Sequence, residues 1–188
     1  MGIRPWTKIG PISTLAESNG RRLNVQKFIN PTNGIAEEFS FLLADVNSVI
    51  IFPITQDRKV VAIRQFRHAA DDVFIELPGG RLESDELSVI AARRELLEET
   101  GFYSEKVIEL KSKKIWVDPG SYRNFYIPCL ATDCRQVSEP KLDAMEFIET
   151  VTIPIGEWLD MILDGLITDA KTLAITFLAL SHIGISLK

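Results

Sequence analysis

The stretch Gly80-Arg81-Leu82-Glu83-Ser84-Asp85-Glu86-Leu87-Ser88-Val89-Ile90-Ala91-Ala92-Arg93-Arg94-Glu95-Leu96-Leu97-Glu98-Glu99-Thr100-Gly101-Phe102 sets clustered acids between two glycines. Read as a helix from Glu86 to Thr100, with Glu86 at zero, it puts Glu98 at about 120°, Glu95 at about 180° and Glu99 at about 220°. These three acids share one face. Val89, Ile90, Leu96 and Leu97 fall on the opposite arc, the stripe expected to bury against a sheet. Glu86 stands at the expected helix start, where an acid suits the dipole. Arg93 falls in the apolar arc, where only a snorkelling stem suits it.

Three like charges on one helix face repel unless something neutralises them. Mg²⁺ does so, because it takes oxygen ligands, commonly one or two carboxylates plus substrate phosphates. The alternative is a solvated acidic face paired to nearby arginines. The flanks favour the metal. Pro78-Gly79-Gly80 allows a tight backbone approach whose carbonyls can turn toward an ion, and Gly101 is the expected helix stop.

At Gly80, Glu86, Arg94, Glu95, Leu96, Glu98, Glu99, Gly101 and Phe102 the segment resembles the signature of the Nudix hydrolases. The resemblance implies that Glu95, Glu98 and Glu99 bind metal, with the Gly79 carbonyl as a further ligand, and that Arg94 and Glu86 orient those acids. It also implies hydrolysis of the pyrophosphate of a nucleoside diphosphate linked to another group, with two or three Mg²⁺ or Mn²⁺ ions.

The remaining chain is consistent with such an enzyme. Its 188 residues suffice for a sizeable core, and 46% hydrophobic with 25% charged residues is ordinary globular composition. A net charge of −5 argues against a nucleic-acid-binding surface; bound cations would invert the local field for an anionic substrate. Cys129 and Cys134 are too few for a disulfide framework and read as reduced packing residues, which fits the cytoplasm. Met1 to Pro11 carries no signal-peptide core, and no apolar run reaches the ~20 residues of a membrane span.

Strands are expected over Arg22 to Ile29, Ile35 to Ala44, Val46 to Thr55, Lys59 to Phe66, Phe74 to Leu77, Val107 to Trp116, Tyr122 to Ala131 and Glu146 to Ile153. Pro53 points to an edge or a strand end. Pro154 opens a helix that Gly165 ends, and Asp169 caps a last helix. This is an α/β (α+β) chain, and the resemblance makes it a Nudix-type α/β/α sandwich with a mixed sheet. Hairpin signals set residues 1–45 apart as an N-terminal antiparallel β-subdomain, leaving 46–188 as the hydrolase domain.

Arg64-Gln65-Phe66-Arg67, Glu76-Leu77-Pro78-Gly79-Gly80 and Pro119-Gly120 resemble the ADP-ribose pyrophosphatase branch. By that resemblance Arg67, Arg64, Glu76, Pro119 and Trp6 lie with the substrate: Arg67 as the phosphate-binding arginine, Trp6 as a ring for a purine. Arg64 could equally pair with a carboxylate, and Trp6 could equally close a core edge or an interface. The resemblance makes the subdomain a homodimer element. Attack of water on phosphorus needs a carboxylate to take the proton. Glu146 comes first, then Asp143, then Glu139, with Glu98 or Glu99 of the helix as the alternative; Ala144 stands where some members carry a further acid. Other Nudix substrates, such as dinucleoside polyphosphates, coenzyme-A-type pyrophosphates or GDP-mannose, remain open. So does a catalytically silent ligand sensor, against which the intact acids argue.

Overall fold

The computed structural model describes residues 2–44, 46–111, 114–143 and 146–185. Ala144 and Asp45, the last residue of the expected subdomain, lie outside the described residues. The chain forms two compact units: Met1–Val46 with Trp116–Phe125, and Asn47–Ile115 with Tyr126–Lys188.

In the first unit β1 (Thr7–Ser18), β2 (Arg21–Ile29) and β3 (Ala36–Ala44) form an antiparallel sheet with β2 in the centre. The hairpin expected of β2 and β3 is present; β1 is an addition to the expected elements. Its ladder is interrupted between Ile9 and Ser13, at Gly10 (φ 69°) and Pro11. A proline without an N–H is tolerated there because β1 is an edge strand. Buried Gln26 donates its amide Nε2 to the carbonyls of Ile9 at 2.8 Å and Gly10 at 3.1 Å, which satisfies acceptors that the interruption frees. The segment 116–125 belongs here through main-chain bonds. Leu42 N donates to Ser121 O at 2.8 Å, and Arg123 N donates to Leu42 O at 2.9 Å.

The second unit is built on a mixed sheet. Its main order is β11 (Ile148–Pro154), β5 (Lys59–Arg67), β4 (Ser48–Thr55), β10 (Phe125–Gln136) and β7 (Phe102–Tyr103). β6 (Asp72–Glu76) pairs with β5, and β8 (Lys106–Glu109) with β10. β4 and β10 run parallel; the other pairs are antiparallel. At β9 (Ile115–Trp116) the chain passes to the first unit. The strand expected over Val107 to Trp116 is therefore two short pieces.

The unbroken apolar run of β4 has a direct consequence. Successive side chains alternate between faces, so Val49 and Ile51 join one core cluster while Ile50, Phe52 and Ile54 join another. The first cluster packs α1 (Ser88–Thr100) through Ala91, Ala92 and Leu96. The second packs α2 (Ile155–Leu163) and α3 (Ala170–His182) through Trp158, Ile175, Ala179 and Leu180. Helices thus cover both faces of the mixed sheet, as the α/β/α expectation requires. Pro53 marks no edge, since β4 lies between β5 and β10; it stands two residues before the end of β4, where the pairing with β10 shifts register. Cys129 and Cys134 are free, buried thiols, each pushed up to about 12 by burial.

Candidate active site

α1 departs from the helical-wheel expectation in two ways. It begins at Ser88, so Glu86 precedes it, and Leu87 occupies the N-cap without a side-chain cap bond. The buried face is also turned from the predicted apolar arc: Leu96 of that arc is buried and Val89 packs on the same cluster, but the burial extends toward the acids. Ile90 is 49% exposed, while Ala91, Ala92 and Leu96 are buried together with Glu95, Glu99 and Thr100. The small alanines let the helix approach the sheet, and that approach carries two of the three acids inward. At its end Gly101 adopts φ 72°, and its N–H returns to Leu97 O at 2.9 Å. A Cβ at Gly101 would meet Ser138 O at 2.1 Å, so the chain after β10 packs directly on this stop.

Arg94, itself a quarter exposed, gathers three of the acids. It forks onto Glu86 (Nε to Oε1 3.0 Å, Nη2 to Oε2 2.9 Å). Its Nη1 reaches Glu95 Oε1 at 2.9 Å and Glu98 Oε2 at 3.1 Å. Its own proton is held more tightly than in a free arginine, chiefly by the bond to Glu86. Glu86 is held below the usual carboxylate range, first by Arg94. Glu95 is displaced upward because burial outweighs the Arg94 contacts.

Among the acids of the described residues, Glu99 is the most perturbed. Burial, then the charges of Glu95 and Glu146, push its carboxyl up to about 8 against one lowering bond, from Gly79 N to Oε2 at 2.8 Å. The glycine loop is fixed in turn by β4: Ile51 N donates to Pro78 O and Val49 N to Gly80 O, each at 2.9 Å. A Cβ at Gly79 would sit 2.3 Å from Val49 O, and one at Gly80 would sit 2.4 Å from the Glu95 carboxylate. Side chains are excluded where the loop meets the acids.

A family model described as the NUDIX domain matches residues 45–161. The chain is a Nudix hydrolase. It is 30% identical over 137 residues to an ADP-ribose pyrophosphatase of Bacillus subtilis (strain 168), covering 72% of this chain and 73% of that protein. It is 34% identical over 128 residues to a GDP-mannose pyrophosphatase of Cronobacter sakazakii, covering 62% and 64% respectively. A crystal structure of an ADP compounds hydrolase superposes with a TM-score of 0.83 at 22% identity, over 99% of this chain and 100% of that one, a likeness of fold.

Within this Nudix hydrolase Glu95, Glu98 and Glu99 all stand on α1, but their carboxylates turn to different partners. Among the described residues no three His, Cys, Asp or Glu side chains form a metal-holding group. Arg94 draws Glu95 and Glu98 to itself, while Glu99 turns to Gly79. Glu146 stands near enough to raise the proton affinity of both Glu95 and Glu99. Its Oε2 accepts from Asp143 N at 3.1 Å. Lys141 N donates to Glu98 O at 2.7 Å, which ties the acidic loop to α1.

Arg64 forms an exposed pair with Glu149 at 3.0 Å, the structural pairing that was its alternative. Arg67 forks onto Glu76 (Nε to Oε1 2.7 Å, Nη2 to Oε2 2.6 Å). Glu76 is buried and takes Lys171 as a second cation, so it holds Arg67 instead of presenting a free acceptor to substrate. In the first unit Trp6 and Pro119 line one cavity of about 500 Å³ together with Phe28, Phe39, Trp116 and Tyr122. Trp6 meets Phe39 edge-on at 5.3 Å. His68 packs against Phe66, and His182 is exposed in the last turn of α3. Lys171 escaped the sequence reading. Asp169 fixes it in the first turn of α3, but no local signal connects that turn to β6.

Proposed function

We propose that this chain hydrolyses the pyrophosphate of ADP-ribose or a related nucleoside diphosphate sugar, giving a nucleoside monophosphate and a sugar phosphate. The observation that carries the reading is the buried pair Glu95 and Glu99. Two acids one helical turn apart, both pushed toward protonation, with Arg94 bonded to Glu95 and, among the described residues, only a backbone N–H bonded to Glu99, suit a divalent cation. The donor set fits a hard ion, because it is all oxygen and a Cβ at residue 80 would lie 2.4 Å from the Glu95 carboxylate, so glycine keeps that side free of a side chain. Glu95, Glu98, Glu99 and the Gly79 carbonyl would hold Mg²⁺ or Mn²⁺, two or three ions. The neighbouring Pro78 and Gly80 carbonyls are taken by β4. When bound, such ions lower the pKa of water and neutralise charge on bridging oxygens.

The chain's own groups do the rest. Arg94 keeps Glu95 and Glu98 oriented. Glu146 takes the proton from the attacking water, its charge being close enough to raise the proton affinity of both Glu95 and Glu99; Asp143 stands behind it, its N–H steadying the Glu146 carboxylate. Arg67 spends two of its five N–H donors on Glu76, and the others serve the diphosphate. The cavity of Trp6 and Pro119 offers aromatic faces to a base. Similarity to a GDP-mannose pyrophosphatase supports a second reading with a guanine substrate. Rates on ADP-ribose, ADP-glucose and GDP-mannose with Mg²⁺ separate the two; no hydrolysis of any of them would sink both.

Arg67→Ala should raise KM for ADP-ribose ten- to a hundredfold, with kcat less affected. A charge-assisted ground-state contact is worth roughly 1.5–3 kcal/mol. Arg64→Ala should do less, because its partner Glu149 lies at the surface. Equal, small effects would remove both arginines from diphosphate binding.

We also propose that the first unit joins two copies in a homodimer. Ile12, Leu15 and Phe39 are exposed on its strands, and exposed apolar side chains of a small three-stranded sheet gain by being covered. Light scattering at micromolar concentration should give twice the 21.1 kDa chain mass; a monomer mass would count against it.

A further inference from the structure

Glu76 closes β6 with its side chain only 2% exposed, yet it receives two cations. Arg67 supplies a fork and Lys171 Nζ a third contact, 2.5 Å from Oε2. Burial alone pushes Glu76 upward; the Arg67 bonds and then the Lys171 charge more than reverse this, so the carboxylate is ionised. Lys171 is itself largely buried and lies 2.9 Å from Asp169 Oδ2. Asp169 also accepts from Thr172 N at 2.9 Å, so its charge is partly answered by the N-terminus of α3. Thr172 Oγ1 accepts from Leu77 N at 3.1 Å, which pins the same turn to the strand leading into the glycine loop.

Arg67 is the member that meets solvent, its side chain 42% exposed. Alone, an Arg67–Glu76 pair is electrically closed. It leaves little charge for an anion, and turning Arg67 outward would strand a buried carboxylate. A second cation on Glu76 removes both obstacles. We infer that Lys171 is a positioning residue for the diphosphate: its ammonium keeps Glu76 compensated, so that the charge of Arg67 is available to phosphate oxygens. This rests on the reading that Arg67 binds the diphosphate, and it adds a residue from α3 to that function.

ADP, which carries a diphosphate but no sugar to release, is the probe, and calorimetric affinity is the readout. Lys171→Met should weaken ADP binding about tenfold, and Lys171→Arg should restore it. In an Arg67→Ala background Lys171→Met should add nothing, because its effect passes through Arg67; a merely structural tie would weaken binding in both backgrounds. If Lys171→Met does not fold, Glu76→Gln with Lys171→Met removes the carboxylate together with its partner. That chain should bind ADP at least as tightly as the parent, and a tenfold loss there overturns the inference. Parent-like binding by Lys171→Met, or additive losses, also overturns it while leaving Arg67 in place. An Arg67→Ala chain that binds ADP normally overturns the diphosphate reading and this inference together.

Discussion

Glu99→Gln is expected to lose nearly all turnover while leaving the metal-free protein at least as stable as the parent at pH 8. The two outcomes share one cause. The Glu99 carboxyl is held at about 8 by burial and by its acidic neighbours, against an ordinary value of 4.5. A carboxyl raised on folding binds more protons in the folded chain than in the unfolded one between those two values. Its contribution therefore favours folding at low pH and is lost as pH rises through about 4.5 to 8. Glutamine keeps the acceptor for Gly79 N and never ionises, so it escapes that loss. Without its charge, however, a metal-binding carboxylate is gone, and several kcal/mol of transition-state stabilisation go with it, on the order of a thousandfold in kcat. Melting curves with and without Mg²⁺ between pH 5 and 8 supply the second check. Stabilisation by Mg²⁺ should grow with pH in the parent, as the proton it displaces is held less tightly, and should be weaker and flatter in Glu99→Gln. An unchanged kcat at saturating Mg²⁺ would remove Glu99 from the metal site.

Arg94→Met should produce the largest loss of stability of any single substitution in this site. One guanidinium serves Glu86, Glu95, Glu98 and the carbonyl of Arg81, at 2.9 to 3.1 Å. Glu86 and Glu95 are both nearly buried, and methionine leaves them facing one another without a counter-ion. Breaking a buried pair by removing one partner costs about 3–5 kcal/mol. With Arg94 a quarter exposed, the lower end, about 3 kcal/mol, is expected, a drop in Tm of roughly 10 °C. Arg94→Lys should recover only part, because an ammonium cannot fork onto Glu86 while reaching Glu95 and Glu98. A urea midpoint unchanged in Arg94→Met would mean that solvent already screens these acids. Added Mg²⁺ should narrow the deficit, since a cation can replace the missing charge.

Local pattern and fixed spacing made much of this protein legible from the chain alone. The Gly80 to Phe102 stretch placed the acids, the helix stop and the family. The continuous apolar run of β4 announced a strand buried on both faces, and Asp169 announced the last helix. These signals survive because each depends on neighbours in sequence: periodicity, a cap, a glycine that must take positive φ. Three things depended on residues far apart in the chain. β1 gives no readable pattern because Gly10-Pro11 breaks it, and the buried Gln26 of β2 makes the break tolerable. The wheel put the acids opposite the core, yet Ala91 and Ala92 bring the helix down on its small side, and Glu95 and Glu99 go in with it. Lys171 reaches Glu76 across 95 residues. Charge alone cannot foretell such a meeting. It exists only once α3 has packed on the sheet and its first turn has been tied to Leu77.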